Sequence, residues 1–331
     1  MRAIVTGTGS IAKRHLRNLR QLFPDARLVV VERLAGAVIP PEIDALVAER
    51  YSDLNAALET PADLAVVATP APYHVQQAIA LTQRGIPTLI EKPLGADTAE
   101  CAPLLAIDAA GKAPMLVGYC LRYHPVFQAL EKALADKVIG RVYNLRAEVG
   151  QYLPNWRPGT DYRFGVSAQK ILGGGALMEL SHELDLVRAL LGTPHAVTAV
   201  LARISELETD VDDVAEIITR HRYHGQEVVA SVHLDLYRRV PRRFIYIDGD
   251  TGSLELDFVQ AKLTHRPLGG EPSSVGAPDG FAINEVYLDE LRDLTAGHGK
   301  PRVGLRDGFE TMRIVEAAAT SAREERTVRL G

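Results

Sequence analysis

The sequence predicts an α/β protein: an N-terminal Rossmann doubly wound parallel sheet, then an α+β domain with a large, mostly antiparallel, open-faced sheet. Three observations predict it. The first 120 residues alternate short runs of Val, Ile and Leu with longer amphipathic segments, the pattern of parallel strands buried on both faces by helices. After Tyr119 the runs alternate apolar with polar residues and are joined by short turns holding Gly, Asp or His, as in antiparallel strands with one open face. The chain has 331 residues, too many for one ordinary core and suited to two. The expected division is 1–120 for the first domain and 121–331 for the second.

In order, "RAIVTG" reads as a strand and "SIAKRHLRNLRQLF" as a helix, with Ile11, His15, Leu19 and Leu22 at helical spacing. The strands "ARLVVVER", "ADLAVVATP", "IPTLIEKP" and "PMLVGY" follow, separated by helical segments such as "APYHVQQAIALTQRG". A helix, "HPVFQALEKALADK", then leads to "RVYNLRAEVGQY", and later come "AVTAVLARISE", "VAEIITRHRY", "EVVASVHLDLY", "RRFIYIDGD" and "GSLELDF". The Gly, Pro and Ser of "GGEPSSVGAPDG" predict a surface loop. Two helices, "INEVYLDELRDLTAG" and "LRDGFETMRIVEAAATSAREE", close the chain.

Composition excludes several classes. A net charge of -5 with no separate block of Lys or Arg leaves no footprint for nucleic acid. Cys101 and Cys120 alone make neither a disulfide framework nor a structural zinc site, which fits a reducing cytoplasm. The N-terminus begins a strand at once, without the sections of a signal peptide. No apolar run approaches the roughly 20 residues of a membrane-spanning helix.

The chemistry concentrates in three places. "GTGSIA" sets Gly7, Gly9 and Ala12 in a G-x-G-x-x-A pattern between the first strand and a helix. Gly7 permits a tight turn, Gly9 lets the backbone approach a pyrophosphate, and Ala12 allows close helix packing. Gly7, Gly9, Ser10, Ile11 and Ala12 are therefore expected cofactor contacts. Glu32, at the end of the second strand, stands where an acid holds an adenosine ribose and argues for NAD; the adjacent Arg33 keeps NADP open.

"IEKPLG" ends the next-to-last strand of the same sheet, so Glu91 and Lys92 are expected at its carboxyl edge, facing a ligand crevice. Pro93 restricts Lys92 to extended backbone and admits a cis bond. In "GGGALMELSHELDLVRALLG", Glu179, His182 and Asp185 recur every three residues and are expected on one helix face. No second Glu-x-x-His accompanies this one, so no metal site is expected. Between these lie Tyr152, Trp156, Arg157, Tyr162 and Arg163, aromatic and basic side chains suited to a polyhydroxylated or acidic ligand; Arg122 and Arg163 point to a carboxylate or phosphate on it.

With "GTGSIA", "EKPLG" and "GGGALMELSHELD" in this order, the sequence resembles the glucose-fructose oxidoreductase, inositol dehydrogenase and rhizopine catabolism family, Gfo/Idh/MocA. The likeness spans essentially the whole chain. It implies hydride transfer at a carbinol carbon of a sugar, nucleotide sugar or cyclitol, and oligomer contacts through the open sheet of a homodimer or homotetramer. Lys92 would contact the nicotinamide ribose and the reacting oxygen, His182 would be the general acid/base, and Glu179 stands where the family commonly has Asp. Thr69, Pro70 and His74 match the turn that packs along the cofactor. The Glu-x-x-His spacing departs from the commoner Asp-x-x-x-His and matches an "LSHE" subgroup associated with surface-polysaccharide sugars. The competing expectation is a sensor that binds dinucleotide and sugar without turnover; retention of both Lys92 and His182 favours an enzyme. A third is an enzyme that oxidises a sugar only transiently, to eliminate or epimerise it.

Overall fold

A computed structural model describes residues 1–32, 36, 39–297 and 300–331. It divides into two compact units: residues 1–120 with 282–309, and 121–281 with 310–331.

The first unit is built on six parallel strands: β1 (Arg2–Thr6), β2 (Arg27–Val31), β3 (Val47–Tyr51), β4 (Leu64–Val67), β5 (Thr88–Ile90) and β6 (Met115–Val117), in the order β3-β2-β1-β4-β5-β6. Connections run outward in both directions from β1 and β4, which makes the gap beyond their carboxyl ends a topological switch point. β1 and β4 are buried along their whole length because helices cover both faces. β3 had no apolar run to announce it; it is the edge strand, and only every second residue turns inward.

Residues 282–309 were expected in the second domain, yet they complete the first unit. Helix Glu285–Thr295 buries Val286, Leu288, Leu291 and Leu294 and packs on helix Ser10–Leu22 and on β5 and β6. Asn284 and Asn18 join their amides, Asn284 Nδ2 donating to Asn18 Oδ1 at 2.8 Å. Farther on, the Val117 amide donates to the Val303 carbonyl at 3.0 Å, Leu116 bridges to Gly304, and Gly308 lies so close to Val117 that a Cβ there would come within 2.7 Å of it. The β6 edge is thereby covered, the usual protection for a sheet margin.

The second unit holds nine strands: β7 (Val142–Gly150), β8 (Ala196–Ala202), β9 (Val214–Tyr223), β10 (Gln226–Asp235), β11 (Arg242–Gly249), β12 (Gly252–Asp257), β13 (Lys262–Pro267), β14 (Ser273–Gly276) and β15 (Val328–Arg329). Their order is β14-β13-β12-β11-β7-β10-β9-β8-β15, antiparallel except for the β7–β10 pair. Inward side chains such as Leu145, Ala147, Val232, Ile245, Ile217 and Leu254 meet helices Pro125–Ala135 and His182–Leu191. The other face presents Val200, Ile218 and Val229, each more than 40% exposed. β14 corrects the loop expected at "GGEPSSVGAPDG": four exposed residues pair with β13 as an edge strand, where no apolar alternation is needed. Among the described residues no helix is long and apolar enough to cross a membrane.

Candidate active site

Gly7 leaves β1 at φ +95°, and its amide donates to the Val31 carbonyl at 2.8 Å. A Cβ at Gly7 would come within 2.6 Å of the Ala68 carbonyl oxygen, so the turn excludes any side chain twice over, by space and by φ. Gly9 differs: it precedes helix Ser10–Leu22 with extended backbone, is exposed, and a Cβ there would touch nothing within 4 Å. No side chain of Gly9 caps the helix and no acid stands in its first turn. That leaves a 13-residue helix presenting its positive end to open space, which suits a pyrophosphate. Ala12, fully buried, lets the helix lie close to the sheet. These residues fit a dinucleotide.

Glu32 directly follows β2, with 7% of its surface exposed. Its Oε2 accepts from the Gly36 amide at 2.9 Å and its Oε1 pairs with Arg50 at 3.2 Å. Arg50, a half-exposed residue of β3, also pairs with Asp44. Arg50 escaped the sequence reading; the sign of it was the parallel register that sets Arg50 opposite Val30, two residues before Glu32. Arg33 lies outside the described residues.

Thr69 and Pro70 lie just beyond β4. The Thr69 and Thr6 hydroxyls both donate to Gln77 Oε1, at 2.8 and 2.7 Å, which ties the ends of β1 and β4 together. His74 corrects its expected role as a cofactor contact. It is buried, with Nε2 2.6 Å from the Thr69 carbonyl and Nδ1 2.8 Å from the Pro93 carbonyl, so both ring nitrogens face main chain in the turns after β4 and β5. Burial lowers its pKa below the ordinary histidine value.

Glu91 and Lys92 also part company. Glu91 was expected to face the crevice, but its side chain turns into the unit, where its Oε1 meets His15 Nε2 at 2.7 Å and its Oε2 accepts the Lys92 amide at 3.2 Å. Taking a carboxylate out of water is costly, and the buried His15 gives it the hydrogen-bonding partner that burial requires. Lys92 is half-buried at the carboxyl end of β5, and the Lys92–Pro93 bond is cis.

In the second unit the glycine run is a tightly packed turn that leads into the short helix Ala176–Glu179. Gly173 and Gly175 adopt φ +80° and +108°. A Cβ at Gly175 would meet Asp212 Oδ1 at 2.5 Å, and one at Gly174 would overlap the Val166 carbonyl. Asp212 instead accepts the Leu177 amide at 2.9 Å, and its main-chain carbonyl accepts the Ala176 amide, capping helix Ala176–Glu179 from outside the motif. The single helix face expected for Glu179, His182 and Asp185 is absent: the helix stops at Glu179, Leu180 and Ser181 intervene, and a second helix runs His182–Leu191. Glu179 Oε2 accepts from the Ser167 hydroxyl at 2.8 Å. His182 begins the second helix, half-buried. Asp185 is buried against Arg188 at 3.3 Å and Arg122 at 3.6 Å, and the Thr311 hydroxyl donates to it at 3.3 Å.

That pairing corrects Arg122 as a reader of substrate charge, because its buried guanidinium faces Asp185 and Glu131. Arg163 is corrected likewise: its fork engages both oxygens of Asp161 and a third carboxylate oxygen on Glu208 at 2.7 Å. Tyr162 is committed too, its hydroxyl accepting the Glu208 amide at 3.0 Å. Tyr152 lies under the Arg239 guanidinium at 3.6 Å, Arg157 packs against Gly165, and the half-buried Trp156 keeps an indole N–H without a partner among the described residues.

An open dinucleotide turn at a switch point, with a lysine at the adjoining strand end, defines an NAD-dependent oxidoreductase of the Rossmann class. Residues 1–119 match the model of an oxidoreductase family with an NAD-binding Rossmann fold, and residues 127–255 match the GFO/IDH/MocA C-terminal domain. The chain belongs to the Gfo/Idh/MocA family. It is 26% identical to D-apiose dehydrogenase of Paraburkholderia graminis, over 98% of this chain and 88% of that one. Levoglucosan dehydrogenase in complex with NADH and levoglucosan shares the fold at a TM-score of 0.83 and 22% identity, covering 99% of both chains. The WlbA dehydrogenase of Bordetella pertussis, in complex with NADH and UDP-GlcNAcA, does so at 0.80 and 23%, over 100% of this chain and 99% of that one. With named dehydrogenases as relatives, the sensor reading is not favoured.

Proposed function

We propose that the protein moves a hydride between NAD and a carbinol carbon of a sugar or nucleotide sugar, with Lys92 and His182 as catalytic residues. The observation that carries this reading is the carboxyl edge of the first sheet, where Gly7, Thr69 and Lys92 follow the neighbouring strands β1, β4 and β5. Bound NAD supplies the hydride acceptor or donor. The chain's own residues do the rest. Gly7, Gly9 and the amides of Ser10 and Ile11 bind the pyrophosphate, Glu32 the adenosine ribose, and Thr69 and Pro70 line the path between them. The Lys92 ammonium stabilises negative charge developing on the reacting oxygen. His182 takes the hydroxyl proton during oxidation and returns it during reduction, work that suits an imidazole near neutral pH. Glu179, held by Ser167, orients the polar end of the substrate.

Support for a sugar comes from the apiose, levoglucosan and UDP-GlcNAcA ligands or substrates in the relatives' names, and the "LSHE" stretch favours a surface-polysaccharide sugar among them. Exposed Val200, Ile218 and Val229 support assembly of a homodimer or homotetramer through the open sheet face. Two buried cysteines that form no disulfide suit the cytoplasm. The test is a fluorescence titration with NADH and with NADPH, repeated on Glu32→Ala, followed by a screen of free and nucleotide-linked sugars for NAD reduction. Saturable NADH binding that weakens in Glu32→Ala is expected; binding of neither nucleotide overturns the proposal. Turnover without net NADH would turn it toward transient oxidation.

A further inference from the structure

The edge of the first sheet sets a guanidinium beside the carboxylate that follows β2. The Glu32 amide donates to the Tyr51 carbonyl at 2.8 Å, and Val30 and Val31 lie in register with Arg50 and Tyr51, so the sheet itself fixes Arg50 next to Glu32. The buried Glu32 carboxylate accepts the Gly36 amide on Oε2 at 2.9 Å, and Arg50 donates through Nη1 to its Oε1 at 3.2 Å. Through Nη2, Arg50 also meets Asp44, the last residue of helix Pro41–Asp44. Arg2 and Arg27, at the amino ends of β1 and β2, turn instead to Glu49.

An adenosine ribose held by Glu32 brings its 2'-hydroxyl to that carboxylate. The 2'-phosphate of NADP would have to take the same place, carrying about two negative charges of its own. There it meets two carboxylates, Glu32 and Asp44, against the one guanidinium they share, and repulsion wins. With the Glu32 carboxylate gone, the Arg50 Nη1 donor aims at the space left behind, and its planar fork suits a phosphate. We propose that Arg50 is a specificity-determining residue of the dinucleotide site: engaged by Glu32 and Asp44 it is withheld from a 2'-phosphate, and released from Glu32 it binds one. The choice of NAD then rests on a residue of the neighbouring strand as well as on the acid after β2. The proposal depends on the reading of Glu32 as the ribose ligand, and its test separates the two.

Fluorescence titrations of the whole protein with NADH and with NADPH compare wild type, Glu32→Ala, Glu32→Ala/Arg50→Met and Glu32→Ala/Arg33→Met, with Arg50→Gln in place of Arg50→Met should that variant fail to fold. Wild type is expected to prefer NADH, and Glu32→Ala to bind NADPH at least about tenfold more tightly than wild type does, the worth of one charged hydrogen bond. Adding Arg50→Met should abolish that gain while leaving the NADH affinity of Glu32→Ala within about threefold, because only the phosphate has lost its partner. Adding Arg33→Met should keep the gain. NADPH bound equally with and without Arg50 overturns the proposal, as does a gain that vanishes only with Arg33, which hands the phosphate to that residue. A loss of NADH and NADPH affinity alike on adding Arg50→Met marks Arg50 as merely structural and overturns it too. The ribose reading is judged separately, by whether wild type binds NADH and Glu32→Ala weakens that binding.

Discussion

Two glycine-rich turns, "GTGSIA" and "GGGALM", look alike in sequence and differ in what their missing side chains make room for. In the first, Gly7 yields to the Ala68 carbonyl, but Gly9 yields to nothing in the protein, and the space beside it is open. In the second, Gly174 and Gly175 yield to Val166, Ser167 and Asp212, all parts of the same unit. One turn is shaped for a guest and the other for its own neighbours. A glycine before a helix is therefore a functional sign only when the position of its absent Cβ is empty.

The comparison can be broken by substitution. The largest effect is expected at the strand end that the first turn adjoins: Lys92→Ala should lower kcat about 10²–10³-fold, as loss of an oxyanion-stabilising group does. NADH affinity, measured by fluorescence, should stay within about threefold. A residual rate above roughly a tenth of wild type, under about 1.4 kcal/mol, would remove Lys92 from the chemistry. Next, Gly175→Ala should destabilise the protein by about 2–4 kcal/mol through positive φ and the clash with Asp212, and thermal unfolding should show it. Gly9→Ala should do the reverse: a melting temperature close to wild type, with an NADH Kd raised about tenfold, or about 1.4 kcal/mol. Equal stability losses in Gly9→Ala and Gly175→Ala would end the distinction.

The smallest expected effect extends the contrast to histidines. His74 of the first unit has its pKa lowered by burial, so below about pH 6.5 the unfolded chain takes up the proton that the folded one refuses. That contribution to stability is present above pH 6.5 and is lost as pH falls. His233 of the second unit sits between Asp235 at 3.0 Å and Glu216 at 2.5 Å, and its pKa is raised by its hydrogen bond to Asp235, helped by Glu216. Its contribution is full below about pH 6.5 and is lost as pH rises through the elevated folded value. Melting curves of His233→Gln should thus lose the alkaline decline of wild type and keep the acidic one. An unchanged alkaline decline would show that His233 does not cause it.

Much of this was legible in the chain. The Val, Ile and Leu runs of β1, β2, β4, β5 and β6 are buried on both faces and could hardly be read otherwise, whereas edge strands β3 and β14 hid because a strand open to solvent needs no apolar code. The turn glycines were plain, but the break after Glu179 was not, since Leu180 and Ser181 include neither Gly nor Pro; nor was the cap at the start of that short helix, since Asp212 lies some thirty residues on. Residue type likewise counted Arg122 and Arg163 as available to ligands, and the family resemblance counted His74. Their partners, Asp185, Glu208 and the Thr69 and Pro93 carbonyls, are brought to them only by the folded chain.

The return of residues 282–309 to the first sheet also sets an order in time. On the ribosome, β6 and the seat for helix Glu285–Thr295 emerge long before the segment that covers them: the 161 residues between Cys120 and Ala282 take roughly 8–32 s at about 5–20 residues per second. Through that interval the nucleotide-binding half waits with an uncovered strand and an empty apolar bed, a natural landing place for a chaperone. An N-terminal fragment ending at Cys120 would wait indefinitely.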